Sequence, residues 1–169
     1  MKSKYSSLIV LGVLALVAAG CGDDGSPAGP GTGGTGGTGG TGAGSMTATV
    51  DGVAWTGAVV AAFNESGIVA VGATDAITGT VIGIGFAGTT TGDYPMNSMS
   101  LANGTVGSTA GSYSTAAAGG SGTISVTTLT DTRVAGSFSF TAVAGAPGQV
   151  PATRTVTGGL FDAPVTVIP

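Results

Sequence analysis

The sequence predicts an all-β domain, an antiparallel meander of about eight or nine strands forming a flattened barrel or β-sandwich, carried after a disordered Gly-rich linker. Three observations lead there. No apolar period of 3.6 residues is sustained beyond residue 45, and the Gly, Thr and Val that dominate that part are poor interior helix formers. Apolar and hydroxyl side chains alternate instead. In VAGSFSFTA, Val134, Phe138 and Phe140 fall on one face and Ser137, Ser139 and Thr141 on the other, the pattern of a half-buried antiparallel strand. Turn signals also recur at roughly the 8 to 12 residue spacing of sandwiches and small barrels.

The strands follow in order. Thr47–Val50 and Val53–Trp55 flank Asp51-Gly52, a hairpin signal, because a type I′ turn needs positive φ at both central residues. Asp51 therefore shapes a turn. Ala58–Phe63 runs through an Asn64–Gly67 turn into Ile68–Thr74. Asp75–Gly79 turns the chain into Thr80–Phe86, where Ile82, Ile84 and Phe86 alternate with Val81, Gly83 and Gly85. TTTGDYP reads as a turn. Later strands are Ser98–Val106, Ser112–Ala116, Thr123–Leu129, Val134–Val143 and Thr153–Phe161, the last with a bulge at Gly158-Gly159. Many inward positions are Ala, Gly or Val. Either the sheets pack unusually close or a cavity remains.

Before this domain, residues 1–20 have the form of a signal peptide. Lys2 and Lys4 precede the uninterrupted apolar run Leu8–Ala19. That run is too short to span a bilayer as a helix, which takes roughly 20 residues. Ala18-Ala19-Gly20-Cys21 follows, and it resembles the bacterial lipobox. The resemblance implies cleavage between Gly20 and Cys21 and a diacylglyceryl thioether on Cys21, with Ala18 in place of the usual Leu. Gly22 stands where an Asp tends to hold lipoproteins at the inner membrane, so the resemblance leans towards the outer membrane. Residues 21–45 are then the lipidated cysteine and a Gly/Thr linker, and 46–169 the all-β domain. Thr-Gly-Gly repeats in the linker cannot bury enough apolar area to offset ordering. As a flexible chain it reaches roughly 25–30 Å.

Charge limits the partners. Without residues 1–20 the chain keeps two arginines against eight acids, a formal charge of −6. Nucleic acid wants clustered Lys and Arg, so no nucleic-acid partner is expected. Anionic lipid offers no attraction either, so membrane attachment falls to lipid on Cys21. With one cysteine there is no internal disulfide.

The order VDGVAW, GDY, GSYST, GGSGTISVTTL and VAGSFSFTA resembles small β-rich lipoprotein domains of unknown function found in Bacteroidota and related bacteria. The likeness covers most of Met46 to Phe161 and rests on turn glycines and strand alternation. It implies a β fold and transfers no catalytic residue.

Enzyme chemistry finds little footing. Histidine is absent, which removes Ser-His-Asp and Cys-His catalysis and most transition-metal sites. Lysine is absent after residue 4, which removes Schiff-base and Walker A chemistry. Gly83–Gly88 fits GxGxxG, but no helix follows to receive a phosphate. No cofactor or metal is expected. Asp51, Glu65, Asp75, Asp93, Asp131 and Asp162 lie mostly in turns. Two of them in one cleft would make a carboxylate-based hydrolase such as a glycosidase, the alternative to a non-enzymatic binding or structural module. Trp55, Tyr94 and Tyr113 are either a ligand-facing aromatic platform or core packing, with Trp55 plugging one barrel end. Arg133 and Arg154 read as solvated charges at strand ends.

Overall fold

The computed structural model describes residues 44–168. Residues 1–43 lie outside the described residues, including the signal segment, Gly20, Cys21 and nearly all of the linker. The described chain is all β, with eleven strands. β1 (Ser45–Val50) and β2 (Val53–Thr56) form the expected hairpin, and Asp51 (φ 50°) and Gly52 (φ 84°) are both left-handed as a type I′ turn requires. β3 (Val59–Glu65) and β4 (Ile68–Thr74) form a second hairpin, with Ser66 and Gly67 in the same conformation. β5 (Val81–Ala87) pairs along the whole length of β4.

Asp75 holds the turn before β5. Its carboxylate accepts hydrogen bonds from the backbone N–H groups of Thr78 and Ile77, both at 2.8 Å. These two bonds, Thr78 first, hold its pKa below the ordinary 3.8. A depressed carboxylate stabilises the fold above its unfolded pKa and loses that contribution as pH falls through the folded value. Accordingly Asp75 is expected to titrate below 3.8 in a carbon-detected NMR titration. Asp75→Asn should flatten the acid limb of the stability profile, and a midpoint at or above 3.8 would contradict the turn geometry.

The next region departs from expectation. Gly92–Asn97 is a strand, β6, where the sequence reads as a turn, and Ser98–Ala102 is a turn where it reads as a strand. β6 lies at a sheet edge, laddered with β9 (Ser121–Leu129) and otherwise joined only by an isolated bridge from Met96 to Ala102, and an edge is where Pro95 can sit without breaking a ladder. β7 (Asn103–Ser108) and β8 (Gly111–Ser114) follow, and then β10 (Arg133–Ala144) and β11 (Thr153–Ile168). β11 runs seven residues past its expected end, through Pro164. Val165 N–H donates to Thr132 on the β10 side, so residue 164 turns its nitrogen to the other edge. There β1 pairing stops at Asp162 and β3 pairing starts at Val165, so no ladder bond is lost.

The strands make two layers. Six run in the order β2-β1-β11-β10-β9-β6, and five in the order β3-β4-β5-β7-β8. The layers join at two corners. At one, the end of β11 pairs with β3 in parallel; at the other, Val143 and Ala144 of β10 pair with β8. The ring β11-β3-β4-β5-β7-β8-β10 is thereby closed, as a flattened barrel. The single parallel pair and the side branches β1–β2 and β9–β6 interrupt a simple meander.

The core lies between the layers, and its members run from Met46 to Ala163 within this segment. The segment therefore carries its own hydrophobic core. Small residues resolve here into a specific arrangement. Phe138 stands directly across the ladder from Gly159, Phe161 from Gly136 and Phe140 from Gly122. The Phe138 ring lies over Gly159, where an added Cβ would stand 2.5 Å from ring carbons. The Phe140 ring lies over Gly104 of the facing layer. Phe138 stacks on Phe140 at 6.1 Å and meets Phe161 at 6.2 Å. Glycines thus make room for three rings, so this part of the core is packed by large side chains. The Gly158-Gly159 bulge is present: Gly158 has φ +58° and the β10–β11 register shifts opposite it. Among the described residues no helix is long and apolar enough to cross a membrane.

Candidate functional site

Alternation along β5 and β7 places two sets of residues on opposite faces. Ile82, Ile84, Phe86 and Val106 point into the core. By strand alternation Val81, Gly83 and Gly85 lie on the other face, with Asn103, Thr105 and Gly107 on β7, although Gly83, Gly85 and the neighbouring Ala70 are themselves buried. The register sets these residues in rows: Gly85 opposite Asn103, Gly83 opposite Thr105, and Val81 opposite Gly107. β4 continues the first row with Ala70, and β8 the others with Ser114 and Ser112. The result is a groove of about 690 Å³ on the outer face of the five-stranded layer. Its floor and β4 side are glycine, alanine and valine. Its β7–β8 side carries the Asn103 amide and the hydroxyls of Thr105, Ser112 and Ser114. Thr105 donates to the Gly83 carbonyl at 3.3 Å. Among the described residues no charged side chain lines it.

Packing separates these glycines from those of the core. A Cβ on Gly107 would find only Val81 at 3.8 Å, and one on Gly85 would make ordinary contacts at 3.6 Å or more. Neither has the positive φ that excludes other residues. The fold accepts a Cβ at both positions, and a larger side chain at either would project into the groove.

The residues singled out from sequence do not converge. Trp55 is 4 % exposed, and its indole N–H donates to the Thr80 carbonyl at 3.0 Å. Tyr113 is 1 % exposed and is packed in the core, yet it is also among the residues lining the groove. Tyr94 is half-buried, packs on Phe86 at 4.5 Å and donates its hydroxyl to the Thr90 carbonyl. The three rings are engaged in packing and share no exposed platform. Among the described residues no three of Asp, Glu, His and Cys gather as a metal site would need. Asp93 and Asp162 lie within strands rather than turns.

Both arginines correct the reading of solvated strand ends. Arg133 pairs with Asp162 at 2.6 Å and Arg154 with Asp51 at 2.7 Å. Asp51 also accepts the Thr155 N–H at 2.8 Å, which ties the first hairpin to β11. The hydrogen bond from Arg154 to Asp51 raises the guanidinium pKa further, against the opposing effect of burial. The guanidinium lies 5.4 Å from the centre of the Tyr113 ring, a cation–π contact. Each cation of the domain is thus committed to a carboxylate.

With this geometry, comparison with known proteins is informative about the fold unit. A family profile described as a domain of unknown function, DUF6252, matches residues 43–164. The chain belongs to the DUF6252 family. Searches of curated proteins and of solved structures find no match. The DUF6252 match begins just before β1 and ends at Pro164, where β11 turns the corner to β3. It therefore includes the whole groove. The groove was open to detection in the sequence through one signal. On a strand with a buried apolar face, the outward positions of VIGIGFA carry Val and Gly where polar side chains would normally stand.

Proposed function

We propose that this chain is a lipid-anchored envelope module, held at the outer membrane through Cys21, that binds a ligand non-catalytically in the groove over β5 and β7. The observation that carries the reading is the pair of groove glycines. Gly85 and Gly107 leave open a space that the fold would let a side chain occupy. Glycine inside a strand costs stability, on the order of 0.5–1 kcal/mol relative to alanine, so packing does not account for it there. A largely apolar concavity with a few directed polar groups is the usual form of a ligand site. The reading as a binder rather than a catalyst draws on the absence of histidine from the sequence and on the two arginines, each paired with a carboxylate. The signal-like segment and Cys21 support the anchor.

The groove is tested with Nile red, a neutral apolar dye, on the chain from residue 22 onward. Saturable fluorescence enhancement is expected, and Gly85→Val should weaken it at least tenfold without lowering the unfolding midpoint. Equal dye binding by wild type and variant would sink the proposal.

A further inference from the structure

We infer that the groove selects a long-chain neutral amphiphile, an acyl chain with an uncharged hydroxylated head such as a monoacylglycerol; this rests on the binding-module reading above. Charge is the first argument. An anionic head, carboxylate or phosphate, needs a cation or an array of free N–H donors once it is desolvated. Arg133 and Arg154 are the only cations of the domain, and both are occupied by Asp162 and Asp51. The six acids of residues 46–169 outnumber those arginines, which further disfavours an anion. A cationic head finds no carboxylate among the described residues of the lining either. An uncharged ligand is what remains.

Shape is the second argument. The rows Gly85–Asn103, Gly83–Thr105 and Val81–Gly107 are two residues apart along the strands, so they define a track of about 14 Å. One flank of the track is apolar throughout, as a methylene chain requires. The other offers neutral donors and acceptors suited to hydroxyl or ester oxygens. In the sequence, exposed apolar residues flank the lining segments: Ile77, two residues before Gly79, is 96 % exposed, and Leu101, two residues before Asn103, is 75 % exposed. A sugar chain fits less well, because among the described residues the one aromatic lining the groove, Tyr113, is only 1 % exposed and offers little face to stack on a ring.

The test compares three probes on the chain from residue 22 onward, with displacement of Nile red and amide shifts of Gly83, Gly85 and Gly107 as readouts. The probes are 1-monodecanoylglycerol below its critical micelle concentration, decanoate, and cellotriose. The monoacylglycerol is expected to displace the dye and shift the three glycines saturably, with an affinity at least tenfold above that of decanoate. Cellotriose should do neither. Gly85→Val and, independently, Gly107→Val should each weaken monoacylglycerol binding at least tenfold with the fold intact by amide spectrum. Binding of decanoate as tight as that of the monoacylglycerol, or cellotriose binding in its place, would overturn the assignment, as would undiminished binding in both variants. If Nile red occupies the groove and monodecanoylglycerol does not, this inference fails while the binding-module reading stands. If neither shifts the groove glycines, both fall.

Discussion

Replacing Gly136 with alanine is expected to lower folding stability by about 3 kcal/mol, a large share of what a domain of this size ordinarily has. Gly136 faces the core on β10, directly across from Phe161 on one side and Val126 on the other. A Cβ there would fall on the backbone carbonyl oxygen of Ser125, and the Phe161 ring would stand about 3.0 Å away. The ring could move, but the carbonyl belongs to a paired strand and cannot. The same one-carbon change at Gly85 meets nothing closer than 3.6 Å, and it removes the conformational freedom of a strand glycine from the unfolded chain. Gly85→Ala is therefore expected to be neutral or to stabilise by about 0.5–1 kcal/mol. Urea unfolding of both variants measures the difference. Similar losses at the two positions would mean that the groove glycines serve packing after all, and the case for the site would go with it.

That contrast also marks where the sequence is legible. The first two hairpins could be read because Asp51-Gly52 and Ser66-Gly67 carry their own backbone requirement, and the observed φ values satisfy it. The alternation of Val134, Phe138 and Phe140 could be read because one buried face is enough to set a strand's phase. β6 could not, since Gly92 and Pro95 have the composition of a turn, and only its place at the sheet edge lets it pair. The extension of β11 past Pro164 was hidden for a related reason. A proline ends a strand unless its missing N–H falls in a gap, and the gap here exists only because the strand changes neighbours at that residue.

The same limit applies to the site. Gly83 and Gly85 stand out in the sequence as a failed phosphate-loop pattern, while Asn103-Gly104-Thr105 has the form of a glycosylation sequon. Only the register of β5 against β7 brings Gly85 to Asn103 and Gly83 to Thr105. Cross-strand pairing is a tertiary fact, so no local pattern reports it. The ion pairs behave alike. Arg154 and Asp51 are 103 residues apart and meet because β11 lies beside β1.

Cys21→Ser is expected to abolish incorporation of labelled palmitate and, once the segment before residue 21 is cleaved or removed, to release the domain from membranes. The size of the effect follows from what else could hold the chain there. Each buried methylene of an acyl chain contributes about 0.8 kcal/mol, so one chain binds marginally and two or three bind stably. The remainder of the chain, at a formal −6, gains nothing from anionic head groups, and Leu8–Ala19 is shorter than a spanning helix. With attachment resting on one residue, its loss should be close to complete rather than graded. Mass analysis of the mature N-terminus distinguishes this from ordinary secretion: an acylated Cys21 supports the anchor, and a free thiol at Cys21 on a membrane-bound chain would refute it. Anchoring would also bear on the groove. On the proposed anchor, a Gly/Thr linker of this length would hold the domain within roughly 25–30 Å of a lipid surface. A neutral amphiphile is then encountered at high local concentration, and a weak intrinsic affinity would suffice for occupancy.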